Sequence, residues 1–402
     1  MSKRSPLASI FLIILVDILG LTIILPLLPF YAESLGASPL VVGMLISSYA
    51  ACQLIAGPIL GQISDKVGRK PVLLVSQCGT FAGFVLLAMS QSLGLVFLAR
   101  IIDGLTAGNI SVAQAYIADV TEESKRTQSF ALIGIAFGIG FLIGPAVSGF
   151  LAHYSHVYPI ILAACLSALS IVATTFLLPG KGEVHQEAHS AAETGMRRTF
   201  SVLREPGVSR LFLQFTAFSF TFAIFMSGFA LFAERRFTWQ GQAFHAAQVG
   251  YALAFLGLAG VLIQGGLIRP LVKKVGEARL VPAGFVSMVI GLSLLGLIHG
   301  VPELLGVMVV IAFGSSVVRP SLSTMITQAV GRKRQGMALG LTQSLMSIAQ
   351  IICPAISGIL IQHQMLTTWA FAGAFCAVVG LICCYYGREA STYVSGDASL
   401  GN

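Results

Sequence analysis

Apolar residues run along this chain in twelve stretches of about 20, the length that crosses a hydrocarbon core. Polar and charged positions are bunched into the short intervals between them. The pattern predicts membrane-spanning helices at roughly 6–31, 39–63, 72–90, 93–118, 129–152, 157–178, 208–233, 246–268, 280–299, 303–328, 337–362 and 367–386, numbered here as spans 1 to 12. Backbone amides in lipid need internal partners, so each stretch is read as a helix. The longest polar interval, 180–207, separates six spans from six. The expected fold is an all-α membrane protein of two pseudo-symmetric six-helix bundles: residues 1–179, a linker over 180–207, a second bundle over 208–390, and a tail over 391–402. The first apolar stretch continues through Phe30 with no small-residue cleavage site, which marks a retained span and not a cleaved signal.

Composition sharpens this picture. Of 402 residues, 56% are hydrophobic and 10% charged, against about 25% charged in soluble domains. The seven cysteines all fall in apolar segments without metal-ligand spacing, and read as small core residues. The formal charge of +8 is placed for topology. All but four of the 24 basic residues lie at the termini or in the 2–3, 4–5, 6–7, 8–9 and 10–11 intervals. The exceptions are Arg100 and Arg319 inside spans, and Arg235 and Arg236 on the opposite side. Basic loops stay in the cytoplasm, so both termini are expected there and a nucleic-acid partner is not.

The two halves also repeat. Gly144-Pro145-Ala146-Val147-Ser148-Gly149 in span 5 matches Cys353-Pro354-Ala355-Ile356-Ser357-Gly358 in span 11, with the prolines 209 positions apart (145 to 354). Asp65-Lys66-Val67-Gly68 after span 2 matches Lys273-Lys274-Val275-Gly276 after span 8, with the glycines 208 apart (68 to 276). Paired bundles with a site between them at mid-depth are the plan of a rocking transporter.

The loop after span 2 reads Gly61-Gln62-Ile63-Ser64-Asp65-Lys66-Val67-Gly68-Arg69-Lys70. Gly61 permits close helix approach and Gly68 a tight turn. Asp65 is expected to pair with the loop's own bases or with a neighbouring helix terminus. This run resembles the signature loop of the major facilitator superfamily, G-x-(L/I)-x-D-(R/K)-x-G-R-(K/R), between spans 2 and 3. Asp17-Ile18-Leu19-Gly20 in span 1, Arg100-Ile101-Ile102-Asp103-Gly104 in span 4, and Gly140, Gly144, Pro145 and Gly149 in span 5 are similar to the tetracycline-efflux-like drug:proton antiporter branch. The resemblance implies twelve helices, alternating access, and a conformational latch from Gly61, Asp65, Gly68, Arg69 and Lys70. It also ties the span-4 arginine to proton coupling and implies a bending, close-packing surface from the span-5 glycines and Pro145. Span 3 lacks the acid of tetracycline exporters, and spans 7 to 9 lack their histidine and acid, so tetracycline itself is not the expected cargo.

A charge at the centre of a span costs about 2.5–3.5 kcal/mol on insertion scales, which makes it a candidate for function. Asp17, with no basic partner in its own helix, is the first choice for carrying a proton. Arg100 and Asp103 are i, i+3 neighbours, open to reading as a static pair or as a relay. Arg319 precedes Pro320 and follows Gly314-Ser315-Ser316, where a bend is expected. It stands either to receive an anionic group of the cargo or to balance Asp17 or Asp103. Gln53, Asn109, Gln114, Gln214, Gln264, Gln343 and Gln350 are polar residues in apolar spans, some of which are expected to face the central space. The aromatics crowding span 7 are expected mostly to meet lipid or neighbouring helices.

The sequence therefore points to a proton-coupled exporter of small amphiphilic compounds in the inner membrane. The expected partners are a small molecule, protons and lipid, with a single chain as the unit. A dedicated transporter of an anionic metabolite, such as a siderophore or organic acid, and a non-transporting receptor are the alternatives. With no nucleophile–base set, metal spacing or phosphate loop, neither an enzyme nor a cofactor is expected.

Overall fold

The computed structural model describes residues 6–121, 126–178, 206–330 and 334–385, and contains twelve helices long and apolar enough to cross a membrane. The linker up to residue 205, the tail, and the basic residues Lys3, Arg4, Lys125, Lys181, Arg197, Arg198, Arg204, Arg332, Lys333 and Arg388 lie outside the described residues. Span 1 is Pro6–Ser34, span 2 Pro39–Val67, span 3 Arg69–Ala88, span 5 Arg126–Ala152 and span 6 Val157–Leu177. Spans 7 and 9 to 12 are Pro206–Arg236, Glu277–Leu295, Val301–Val330, Gln335–Gln362 and Leu366–Tyr385.

Two spans are interrupted. Span 4 was expected to be continuous but is two helices, Leu93–Leu105 and Asn109–Val120. Its backbone ladder is broken from outside: Ser76 of span 3 hydrogen-bonds the Thr106 carbonyl and accepts the Gly108 N–H at 2.9 Å. A side chain inserted into the ladder is a recognised cause of a break. Span 8 runs from Ala246–Leu262 through a π-turn at Ile263–Leu267 to Ile268–Val275, beyond its expected end. Between spans 7 and 8 a small antiparallel hairpin pairs Thr238–Trp239 with Gln242–Ala243. Its two-residue turn, Gln240 and Gly241, has both φ angles positive, as the twist of a tight hairpin requires.

Spans 1, 5 and 6 pack together, and span 3 lies against spans 4 and 6; in the other bundle span 9 lies against spans 10 and 12, and span 7 against spans 11 and 12. The bundles meet mainly along two seams, span 2 against span 11 and span 5 against span 8. The repeat is visible in these seams. Gly43 of span 2 lies on Pro354 of span 11, and Gly250 of span 8 lies on Pro145 of span 5. Gly358 meets Pro39 and Leu40, while Gly149 meets Ala247. Gly68 (φ 110°) and Gly276 (φ 79°), at equivalent places, turn span 2 into span 3 and span 8 into span 9. Both occupy a conformation that only glycine adopts cheaply.

The seams are tight at one end only. A Cβ at Gly250 would stand 2.7 Å from the Gly149 Cα, and one at Gly358 would stand 2.8 Å from the Leu40 Cα. Ser47 donates to the Ile351 carbonyl at 2.6 Å, and Arg235 joins Glu33 at 2.6 Å and Glu234 at 2.7 Å. These contacts all lie toward the 1–2 and 7–8 loops. Toward the 2–3 and 8–9 loops, a Cβ at Gly57, Gly61, Gly265, Gly266 or Gly340 would meet nothing within 4 Å. The molecule is closed at one end and open at the other.

The span-7 aromatics are core rather than lipid-facing for the most part. Phe212, Phe215, Phe218, Phe225, Phe229 and Phe232 are buried, the last packed on Trp369 with ring centroids 4.7 Å apart. Of the cysteines, Cys78 and Cys165 are exposed and not in the core as expected.

Candidate functional site

Asp17 lies eleven residues into span 1 from the open end (6 to 17), a depth of about 16 Å at the helical rise. It is nevertheless partly exposed. Gln77 of span 3, Ser170 of span 6 and Asn109 of span 4 hydrogen-bond its carboxylate. Gln77 Nε2 stands 3.5 Å from Asp17 Oδ2 and donates to Ser170 Oγ at 2.8 Å. Among the described residues no base lies within ion-pair distance of Asp17. The break in span 4 matters here, because it makes Asn109 the first residue of a new helix. The oxygens Gln77 Oε1 and Asn109 Oδ1 have no hydrogen-bond partner.

Arg100 and Asp103 form an ion pair within span 4, and each side chain is only 4% exposed. Thr80 hydrogen-bonds Asp103 as well. The Arg100 guanidinium lies 5.1 Å from the Tyr49 ring centre and 5.8 Å from that of Phe84. Such aromatic walls offset part of the desolvation of a cation. Gln53 donates to Tyr49 Oη at 3.3 Å, which joins span 2 to this cluster.

At the open end, Asp65 pairs with the loop's own base, Arg69. Arg69 also donates to Asp119 at 2.8 Å and to Ser64 at 2.7 Å. Lys70 donates to the carbonyls of Thr175 and Leu178, each at 2.7 Å. A cation there satisfies the free carbonyls at the end of span 6 and meets the negative end of its dipole. Gly61 has open space over it in this conformation.

The span-5 motif is shared between two neighbours. Thr22 of span 1 donates to the Gly140 carbonyl at 2.9 Å and also packs over Gly144, whereas Pro145 and Gly149 face span 8.

In the second bundle Arg319 lies eleven residues from the open end of span 10 (319 to 330), level with Asp17 along its own helix. Like Asp17 it is partly exposed. Its guanidinium lies 5.7 Å from the ring centre of Phe137 in span 5, across the gap between bundles. Neither Asp17 nor Asp103 pairs with it, and no carboxylate among the described residues acts on it. Gln214, expected at the central space, instead donates to the Cys383 carbonyl at 3.0 Å and is buried between spans 7 and 12. Gln343 is exposed on span 11. Gln77, Ser170, Thr80, Tyr49 and Asp119 were not singled out from sequence. Nothing in their own helices marks them; only the fold brings them to the charged groups.

The sequence pattern of the Major Facilitator Superfamily matches residues 10–271 and 265–398. The chain is 32% identical to the class E tetracycline resistance protein of Escherichia coli, over 87% of this chain and 86% of that one. It is 26% identical to multidrug resistance protein 2 of Bacillus subtilis, over 93% of this chain and 94% of that one. Among solved structures, the human organic anion transporter MFSD10 superposes with a TM-score of 0.73 over 96% of this chain and 100% of that one; at 23% identity this likeness bears on fold alone. With twelve spans, two repeated bundles and a sequence match over nearly its whole length, the chain belongs to the Major Facilitator Superfamily, as a multi-pass membrane transporter related to drug-efflux proteins and not an enzyme.

Proposed function

We propose that the protein exports small amphiphilic compounds in exchange for protons, alternating between states open to either side, with Asp17 as the proton carrier. The observation that carries this is the setting of Asp17: deep in span 1, partly exposed, and held by the neutral groups of Gln77, Ser170 and Asn109. A carboxyl so placed keeps hydrogen bonds in both protonation states, since the amides and hydroxyl donate to the carboxylate and their oxygens accept from the acid. Arg100 and Asp103 serve as a second, buried element of the pathway, and Asp65, Arg69 and Lys70, with Asp119, as the latch of the open end. The basic loops support a cytoplasmic location for that end, and on this reading the conformation described here faces inward. The names of the relatives, tetracycline and multidrug resistance proteins, support drug-like cargo and the outward direction.

The test is efflux from proteoliposomes under an imposed pH difference. Asp17→Asn is expected to lower pH-driven efflux at least tenfold while exchange of labelled for unlabelled cargo without a gradient continues. Unchanged pH-driven efflux in that variant would sink the assignment.

A further inference from the structure

Arg319 is the charged group that the proton pathway leaves unexplained, and its surroundings differ from those of every other intramembrane charge. Arg100 has Asp103, and Asp17 has three neutral donors. Arg319 has the face of Phe137 and, among the described residues, no carboxylate. A guanidinium carries five donors in a planar fork and cannot shed its charge in a protein. Kept unpaired in a dry interior it would cost several kcal/mol. Its partial exposure at a depth of about 16 Å, against Phe137 of the other bundle, puts it instead at the boundary between the bundles.

The local helix supports this placement. Pro320 lacks an N–H, so the Ser316 carbonyl one turn earlier loses its helical donor. On the far side of the proline, Ser323 and Thr324 turn their hydroxyls back onto the Arg319 and Pro320 carbonyls at 2.9 and 3.0 Å. Such back-bonding bends helices. Both features fall beside Arg319, while Phe137 is contributed by span 5, whose continuation forms the closed seam with span 8. Beside it, Phe141 stacks on Phe137 at 6.4 Å. The wall thus offers one fixed cation next to aromatic surface, at the seam between bundles.

We infer that Arg319 and Phe137 form the seat for an organic anion, an amphiphile whose carboxylate or sulfonate is received by the guanidinium while its apolar body lies on the Phe137–Phe141 surface. This deepens the export function proposed above by naming the class of cargo. A carboxylate matches the guanidinium fork with two parallel hydrogen bonds, and a ring takes the place that a second protein residue would otherwise fill. A neutral isostere forgoes the charge-assisted bonds and leaves the cation unpaired, so the site discriminates by charge.

Equilibrium binding to the purified full-length protein, without any pH gradient, tests the seat independently of proton coupling. The probe is tritiated 2-naphthoate, with 2-naphthamide as its uncharged competitor. Wild type is expected to bind naphthoate and to take naphthamide at least tenfold more weakly. Arg319→Gln is expected to weaken naphthoate at least tenfold without changing naphthamide, Arg319→Lys to recover part of the loss, and Phe137→Leu to weaken naphthoate several-fold. The inference is overturned if wild type does not bind naphthoate, if the two compounds compete equally, or if Arg319→Gln binds naphthoate as wild type does. Should Arg319→Gln not fold, Arg319→Lys and Phe137→Leu decide by the same measure, wild-type affinity in both being the contrary result. Loss of pH-driven efflux in Asp17→Asn with naphthoate binding intact, or the reverse, separates the two assignments.

Discussion

The two ends of the seams between the bundles are built from the same kind of residue and sit in opposite states. Toward the 1–2 and 7–8 loops, Gly43, Gly250 and Gly358 press on backbone of the other bundle; toward the 2–3 and 8–9 loops, Gly57, Gly61, Gly265 and Gly340 face empty space. Small residues are what let helices approach closely in a bilayer, where there is no hydrophobic force to draw them together. Glycine without a neighbour has no such use and costs helix stability, about 1 kcal/mol relative to alanine. The vacant glycines therefore make sense as contacts of a different state, in which the open end closes. Two sets of glycines thus lie along these helices, and only one of them is in contact in the state described here.

The sharpest way to break this contrast is to fill the used set. Gly250→Val would drive a branched side chain into Pro145 and Gly149 and is expected to part the closed end, lowering transport at least tenfold. In a cysteine-free background, Ser47→Cys would then become reactive to an impermeant maleimide applied from the 1–2 loop side; an unreactive Ser47→Cys with normal transport would count against the contact. Filling the vacant set is expected to act differently. Gly57→Val meets nothing in this state, so its Tm in detergent should stay near that of wild type while transport falls several-fold. Equal transport would mean that the open end closes without using Gly57.

The smallest effect concerns pH at the closed end. Burial, with a contribution from nearby His245, holds the His156 imidazole below its ordinary value, so the folded state favours the neutral ring. Stability from this source is complete above the ordinary histidine pKa of about 6.5 and declines as the pH falls through that value toward the lowered one. The Tm of wild type is expected to drop slightly more than that of His156→Gln between neutral and mildly acidic pH. Parallel curves for the two proteins would remove His156 from the account of this end.

How much of this was legible in the sequence varies with the range of the interaction. Hydropathy alone gives the twelve spans, and the near-equal offsets of Pro145 to Pro354 and Gly68 to Gly276 give the pairing of halves, because both are properties of single helices and their order. The Arg100–Asp103 pair is likewise readable, being one turn apart on one helix. Contacts between helices are not. Gln214 looked like a residue of the central space because an amide in an apolar span needs a partner, and the sequence does not reveal that Cys383 supplies a carbonyl. The donors around Asp17 come from spans 3, 4 and 6; Asn109 is among the polar residues the sequence marks, but Gln77 and Ser170 do not stand out in theirs.

The Ser76 hydroxyl that stands in for a missing turn of span 4 also constrains how the protein is made. Without span 3 the Gly108 N–H keeps only its contact with the Thr106 carbonyl two residues back, at 2.7 Å, and both groups lose a hydroxyl partner that lipid does not replace. The shape of span 4 thus leans on span 3, which favours docking of the two early in insertion.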